Sequence, residues 1–152
     1  MMDFLPVNIR ISDLNILIVG GGKVATHKAQ ILSRFTHSVT VIAPLFTPEL
    51  RLQPFACIQR EFAPSDLEGV KVLFICTGNH ELNRHIKQLA DERNILASVC
   101  DDPQLCGFTS PAIFRKDNVT VSVASDAQDV HRSIRIRNRI QQLVLTGLLD
   151  LS

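Results

Sequence analysis

The chain has 152 residues, of which 16 are Lys or Arg and 15 are Asp or Glu, so its formal net charge is +1 at pH 7. This balance gives no field that would draw the protein to nucleic acid or to an acidic membrane surface. The sequence contains no Trp and no Tyr, which argues against a platform for stacking bases. Apolar residues make up 45%, enough to bury the core of one domain.

The cysteines and the N-terminus indicate the cellular compartment. The sequence contains four cysteines, at Cys57, Cys76, Cys100 and Cys106. No two of them form a C-x-x-C pair, so we interpret them as reduced, buried thiols and expect neither disulfides nor a metal site. Residues 1–6 lack the basic start and long apolar run of a signal peptide, and no segment is as long and apolar as a membrane span. We therefore expect a cytoplasmic protein.

Strand and helix patterns alternate over the first hundred residues. The predicted strands are residues 15–19, 38–43, 56–60, 71–76 and 95–100. The predicted helices are residues 23–35, 47–52 and 80–93, and Asn79 is the expected N-cap of the last one. This alternation predicts an α/β fold with a parallel sheet and helices on both of its faces.

The pattern changes after residue 100. Residues 108–116 hold a short apolar stretch, residues 119–124 alternate between apolar and polar as a half-exposed strand does, and residues 129–149 form a long amphipathic helix. We therefore predict a sheet domain over residues 1–113 and a small C-terminal strand-helix segment over residues 114–152. The half-buried strand and the apolar helix face predict a dimer surface in this segment.

The first strand leads directly into a glycine-rich helix start. Gly20, Gly22 and Ala25 fit the G-x-G-x-x-A pattern, in which the first glycine permits a tight turn and the second lets the backbone approach a pyrophosphate. The small third residue lets the helix pack on the strand, and the helix N-terminus offers free amides to the phosphates. The pattern in this context predicts a Rossmann-type dinucleotide site, and the alternative is a glycine-rich turn that binds nothing.

The end of the second strand lacks the acidic residue that usually binds the ribose of NAD. The chain there reads Ala43-Pro44-Leu45, the next acid is Glu49, and no arginine stands there for a 2′-phosphate. This position leaves NAD and NADP as alternatives.

Asp101 and Asp102 follow the fifth strand, at the end where open α/β sheets bind ligands. A carboxylate at that place can serve as a general base, although Asp102-Pro103 is also the sequence of an ordinary turn. The five histidines show no metal-ligand spacing, and we interpret them as surface residues.

Taken together, these segments resemble the precorrin-2 dehydrogenase family, the NAD-binding part of siroheme synthases. The resemblance extends over residues 5–142. The family patterns L-P-I/V, G-G-G-x-V-A-x-x-K and V-T-V-x-A-P correspond to residues 5–7, 20–28 and 39–44. The patterns A-T-D/N-D/N-x-x-L-N and N-V-V-D-x-P-x-x-C-x-F-x-x-P-A-I correspond to residues 76–83 and 98–113.

The resemblance implies a reaction in which precorrin-2 gives up a hydride to NAD and loses protons to form sirohydrochlorin. It implies that Asp101 is the catalytic base, that Arg137 and Arg139 lie near the carboxylates of the substrate, and that the protein is a homodimer. Some members also insert Fe²⁺ into the product. The implied NAD-binding residues are Gly20, Gly21, Gly22, Lys23, Val24, Pro44, Leu45, Thr77 and Gly78.

Residues 124–130 depart from the family loop S-S/T-G-G-x-S-P. Both glycines are replaced, and Asp126 and Asp129 add negative charge that is unfavourable beside a polycarboxylate substrate. Gly78 replaces an acid of the family pattern, and members usually carry a further helical segment after the position of Ser152. These departures favour an alternative, a non-catalytic NAD(H)-binding homodimer. A third alternative, the dinucleotide-sensing domain of a transport system, is disfavoured because such domains keep the second-strand acid.

Overall fold

A computed structural model describes residues 3–152 of the chain. Met1 and Met2, which belong to the segment expected to lack signal-peptide features, lie outside the described residues. The chain divides into two compact units. The larger unit is residues 6–108, and the smaller C-terminal unit is residues 109–152 together with residues 3–5.

The larger unit contains one parallel sheet of five strands in the order β3-β2-β1-β4-β5. The strands are β1 (Asn15–Val19), β2 (Val39–Ala43), β3 (Ala56–Gln59), β4 (Val70–Ile75) and β5 (Leu96–Val99). The helices are α1 (Lys23–Leu32), α2 (Pro48–Arg51) and α3 (His80–Glu92). The predicted Rossmann-type sheet is confirmed, and every predicted strand end lies within one residue of the observed end.

Two apolar layers cover the sheet because side chains alternate between its faces. On one face, Ile86 and Ala90 of α3 pack with buried strand residues such as Leu73 and Ile75. On the other face, Ala25 and Ala29 of α1 pack with residues that include Ile18 and Phe74. The strands β1, β2, β4 and β5 are therefore largely buried, which explains why they read as nearly continuous apolar runs, whereas the edge strand β3 is mostly exposed.

Helix ends follow local hydrogen bonding. The predicted cap of α3 is confirmed, since the Asn79 side chain accepts a hydrogen bond from the Leu82 N–H at 3.0 Å. The first helix is three residues shorter than predicted because the chain tightens after Leu32. There the N–H groups of Arg34 and Phe35 donate to carbonyls three residues earlier.

The C-terminal unit contains an antiparallel pair, β6 (Ala112–Lys116) and β7 (Val119–Val123), followed by α4 (Val130–Leu145). The sequence predicts a single strand here, whereas the apolar stretch before it forms a second strand that pairs with β7. The predicted boundary after residue 113 falls inside β6, and the contacts divide the chain after residue 108 because β6 belongs with β7.

The last helix ends four residues earlier than predicted. Gly147 has a positive φ of 73°, and the N–H groups of Leu148 and Leu149 both donate to the Leu143 carbonyl. This arrangement satisfies the open carbonyls at the end of α4 and turns the chain away from the helix axis.

The strand order places the two halves of the sheet next to each other at β1 and β4. The connection from β1 leads to β2 on one side, and the connection from β3 crosses to β4 on the other side of β1. The carboxyl ends of β1 and β4 therefore form the crevice where open α/β sheets bind ligands. The glycine turn follows β1, and Thr77 lies just after β4.

Candidate functional site

The glycine turn, residues 20–22, requires glycine at its first two positions. Gly20 has a φ of +123°, and a Cβ built there would lie 2.3 Å from the Cys76 carbonyl oxygen. A Cβ on Gly21 would lie 1.8 Å from the Leu45 carbonyl oxygen. Both distances are far below contact, so the turn can form only because these two side chains are absent.

The third glycine, Gly22, differs from the first two because it faces open space. Gly22 is the N-cap of α1, and a Cβ built on it would meet nothing within 4 Å. Among residues 3–152, no side chain caps this helix, whose first two residues, Lys23 and Val24, are exposed. The helix N-terminus therefore faces open space with its amides and its positive dipole end, which suits a phosphate group.

The segment after β2 is tied to the glycine turn. The Thr47 N–H donates to the Gly21 carbonyl at 2.9 Å, and the hydroxyls of Thr47 and Thr26 lie 2.6 Å apart. Pro44 and Leu45 are exposed beside the turn. Thr47 is not among the residues predicted from the sequence, although Thr before Pro48 is a typical helix start that could have identified it.

A second group of residues, which we call the polar cluster, consists of Thr77, His80, Asn83 and Asp101. Asp101 follows β5, and one of its carboxylate oxygens accepts a hydrogen bond from Asn83 Nδ2 at 3.2 Å. The other oxygen lies 2.7 Å from His80 Nδ1. Both carboxylate oxygens are thus fixed in place, while the side chain keeps 32% of its surface exposed. Such a carboxylate is positioned and accessible, as a proton acceptor must be.

Asn83 holds the polar cluster together. The residue is only 1% exposed, and its amide nitrogen donates to the Thr77 carbonyl at 3.0 Å as well as to Asp101. Its amide oxygen accepts a hydrogen bond from the Thr77 hydroxyl. The loops after β4 and β5 are therefore joined through one buried amide.

The structure brings the sequence-predicted residues together in two groups at one edge of the sheet. Gly20–Val24, Pro44 and Leu45 form the first group, and Thr77 and Asp101 belong to the second. Thr77 also adjoins the first group, because a Cβ on Gly20 would lie 3.1 Å from the Thr77 nitrogen. Gly78 is exposed, with nothing within 4 Å of its Cβ position.

His80 and Asn83 are site residues that are not among those predicted from the sequence, although Asn83 is the last fixed position of the family pattern over residues 76–83. The interpretation of His80 as a surface histidine agrees with its side chain, which is 77% exposed. The spacing of His80 and Asn83 in the sequence could have identified them as neighbours, because residues three apart at the start of a helix share one face. Asp102 has the turn role considered for this segment, since its side chain accepts from the Gln104 N–H at 3.1 Å.

A cavity of about 490 Å³ lies at the opposite edge of the sheet. Its lining includes residues at the starts of four strands: Asn15, Val39, Ala56 and Val70. Open α/β sheets bind their ligands at the carboxyl ends of the strands, so this cavity is not the candidate site.

In the C-terminal unit, the residues that depart from the family loop have structural partners. The Asp129 side chain caps α4 by accepting from the Arg132 N–H at 2.7 Å, and Asp126 accepts from the Phe4 N–H at 3.4 Å. Arg137 donates to the Ile113 carbonyl at 2.6 Å and thereby ties α4 to β6. These three charged groups stabilise the unit itself.

Within residues 3–152, the structure shows neither a cluster of metal-binding side chains nor a helix that could cross a membrane. This part of the chain contains no group of three or more His, Cys, Asp or Glu side chains placed to hold a metal ion. None of its helices is both long enough and apolar enough to cross a membrane.

Residues 7–112, which include the whole sheet and the polar cluster, match a family model described as putative NAD(P)-binding. The chain belongs to this family. This membership agrees with the open N-terminus of α1 at Gly22, because a helix N-terminus of this kind suits the phosphate groups of a dinucleotide.

Curated relatives of this NAD(P)-binding family member are larger proteins. The siroheme synthase of Thioalkalivibrio sulfidiphilus is 33% identical over 147 residues, which cover 94% of this chain and 30% of that protein. Siroheme synthase 2 of Yersinia pestis is 32% identical, with 99% of this chain and 33% of that protein covered. The chain thus spans about a third of the length of these relatives.

A solved structure, SirC, a precorrin-2 dehydrogenase, has the same fold. It superposes with a TM-score of 0.79, covering 97% of this chain and 71% of that chain at 20% sequence identity. The likeness includes both the parallel sheet and the small C-terminal unit, since nearly the whole chain is covered.

Proposed function

We propose that the chain is an NAD-dependent dehydrogenase that oxidises precorrin-2 to sirohydrochlorin in siroheme biosynthesis. The observation that carries this proposal is the Asp101 carboxylate, fixed by Asn83 and His80 at the same sheet edge as the open N-terminus of α1. The names of the relatives, siroheme synthase and precorrin-2 dehydrogenase, support the choice of substrate.

The glycine turn would hold the pyrophosphate of NAD. Gly22 leaves the space that the phosphates need, and the amides of the first turn of α1 donate to them. Pro44 and Leu45 would flank the adenosine, where Leu45 offers an apolar surface that is 76% exposed. Thr77 and Gly78 would border the next part of the cofactor. When bound, NAD supplies the nicotinamide ring that accepts a hydride.

Asp101 would act as the general base that takes a proton from the substrate. Its two oxygens point in directions set by Asn83 and His80, so the carboxylate is oriented before the substrate arrives. Positioned proton acceptors of this kind contribute about 10² to 10⁴ in rate. Asn83 and His80 are positioning residues in this proposal.

The C-terminal unit would form a homodimer. Val130, Ile134 and Leu145 of α4 are 61%, 37% and 71% exposed, and the valines of β7 are only half-buried. A second copy of the same unit would remove this apolar surface from water. We further propose a cytoplasmic location, since four free cysteines suit a reducing compartment.

The decisive experiment is anaerobic incubation of the purified chain with enzymatically generated precorrin-2 and NAD⁺, followed by absorbance. We expect NADH and sirohydrochlorin to appear together in equal amounts. If turnover is absent while calorimetry shows that NAD⁺ binds, the dehydrogenase proposal is wrong and the non-catalytic NAD(H)-binding homodimer replaces it.

A further inference from the structure

Two cysteines lie side by side directly below the polar cluster. Cys76 follows β4 and Cys100 follows β5, and their sulfur atoms are 2.7 Å apart. The two strands pair in parallel register up to Ile75 and Val99, and the Cys100 N–H continues the ladder by donating to the Ile75 carbonyl at 2.9 Å. The two cysteines are therefore neighbours across adjacent strands.

The backbone geometry suits a disulfide between them. Neighbouring strands are spaced by about 4.8 Å, and disulfides join residues whose Cα atoms are about 4.4 to 6.8 Å apart. Both side chains lie on the α1 face of the sheet, since Cys76 belongs to the apolar layer there and Cys100 packs against it. The sulfurs, 2.7 Å apart, need to approach by less than about 1 Å to reach the length of a disulfide bond.

The electrostatic surroundings make one of the two sulfurs a better nucleophile. The contact with the Cys76 sulfur and the positive charge of Lys28 lower the pKa of Cys100, and they outweigh burial and the negative charge of Asp101, which raise it. The same contact, together with burial, raises the pKa of Cys76 well above its usual range. Thiolate character is thus concentrated on Cys100, which is the form that attacks oxidants.

The other two cysteines have different surroundings. The Cys106 sulfur hydrogen-bonds with the backbone carbonyl and N–H of Val99, both at 3.2 Å. Cys57 lies on the edge strand β3 and is half-buried. Within residues 3–152, neither sulfur hydrogen-bonds with another thiol, so these two cysteines serve as internal controls.

We propose that Cys76 and Cys100 form a redox-active dithiol that a peroxide converts to an intramolecular disulfide beside Asp101. The Cys100 thiolate attacks one oxygen of hydrogen peroxide, the O–O bond breaks, and with one proton taken up the products are a sulfenic acid and water. The Cys76 sulfur then attacks the Cys100 sulfur, the S–O bond breaks, and the thiol proton leaves with the hydroxyl as a second water. Two thiols are oxidised and one peroxide is reduced.

The position of the pair connects it to the candidate site. The residues that follow the two cysteines are Thr77 and Asp101, and both belong to the polar cluster. The disulfide would therefore cross-link the starts of the two loops that carry this cluster. The proposal does not depend on the proposed reaction, because oxidation can be followed without substrate or cofactor.

The test uses the full chain, reduced with dithiothreitol and transferred to buffer without thiols. A small molar excess of hydrogen peroxide should remove two of the four thiols and lower the intact mass by two hydrogen atoms. Peptide mapping without reduction should place the bond between Cys76 and Cys100, and dithiothreitol should restore the original mass.

Three variants make the test specific. Cys76→Ala and Cys100→Ser should each fail to give the product with two fewer hydrogens, whereas Cys57→Ser should give it as the wild type does. Circular dichroism checks that each variant is folded. The proposal is overturned if wild-type protein gains oxygen atoms on single cysteines instead, or if the cross-link maps to any other pair.

Discussion

The glycine turn and the polar cluster lie at the same edge of the same sheet, yet the turn offers backbone groups and the cluster offers side chains. The turn presents only backbone, and two of its three glycines are required because a Cβ would collide with carbonyl oxygens of neighbouring loops. The polar cluster presents side chains from two loops and one helix, joined by the buried amide of Asn83. In the proposed function, binding and chemistry at this edge are carried by separate parts, which can be perturbed one at a time.

The largest expected effect is that of Asp101→Asn. This change removes the proposed proton acceptor but keeps the size of the side chain, so we expect kcat with precorrin-2 to fall by about 10² to 10⁴. Binding of NAD⁺ should stay within a few-fold of wild type, because the glycine turn is untouched. Anaerobic turnover and calorimetry measure the two quantities separately.

A parallel loss of NAD⁺ affinity in Asp101→Asn would contradict the separation of the two parts. Full activity in the same variant would remove Asp101 from the reaction and leave the proposed base unassigned.

We expect an added methyl group to have different effects at two positions of the glycine turn, Gly20 and Gly22. Gly20→Ala should lower the free energy of unfolding by about 2 to 4 kcal/mol, because its positive φ and its contact with the Cys76 carbonyl both oppose a Cβ. Gly22→Ala, the matched control, should cost less than about 1 kcal/mol. Its added methyl group would instead occupy open space at the helix N-terminus and weaken NAD⁺ binding by at least about tenfold, which is about 1.4 kcal/mol.

Urea unfolding and NAD⁺ titration of both variants give the result. If Gly22→Ala binds NAD⁺ as tightly as wild type, the space before α1 is not where the phosphates lie. If Gly20→Ala is as stable as wild type, the close approach to the Cys76 carbonyl does not limit the turn.

Asn83→Ala tests how the polar cluster is held. The carbonyl and hydroxyl of Thr77 lose the buried Asn83 amide as their hydrogen-bond partner. The free energy of unfolding should therefore fall by about 1 to 3 kcal/mol. The Asp101 carboxylate keeps only its contact with His80. Because its orientation is then less well fixed, kcat should fall by roughly tenfold without a change in KM for NAD⁺.

The matched control is Asn79→Ala, which removes the N-cap of the same helix. Loss of that cap should cost about 1 kcal/mol in the free energy of unfolding. The control should leave kcat unchanged, because Asn79 does not contact Asp101. Equal effects of the two variants on kcat would show that Asn83 acts only through the stability of α3.

The contrast between turn and cluster also explains why some features can be predicted from the sequence and others cannot. The turn is local: Gly20, Gly22 and Ala25 are close in sequence and follow a strand, so their pattern predicts both fold and binding site. The polar cluster depends on contacts between residues far apart in the chain, such as Asn83 with Asp101. The sequence identifies Asp101 only by its place after a strand and by resemblance, and it indicates only a surface role for His80.

The C-terminal unit also shows a limit of predicting structure from sequence patterns. The family loop with two glycines is replaced here by Asp126 and Ala127, which suggests a changed backbone. In the structure these two residues have φ values of 48° and 59°, the left-handed conformation that favours glycine. Asp126 and Ala127 thus adopt a conformation that favours glycine, which the sequence pattern alone could not indicate.

The smallest predicted effect follows from the positive φ of Ala127. Ala127→Gly should raise the free energy of unfolding by about 0.5 to 1 kcal/mol, because relief of the left-handed strain exceeds the entropy that glycine adds to the unfolded chain. Unlike Gly20, which is fixed by both its φ and a neighbouring carbonyl, Ala127 is unfavourable through φ alone. Asp117→Gly at the β6–β7 turn, where φ is 52°, is the control with a smaller expected gain since Asp tolerates this conformation better than Ala. Chemical denaturation of both variants decides the matter, and an unchanged or lower stability for Ala127→Gly would mean that the loop is not strained at this position.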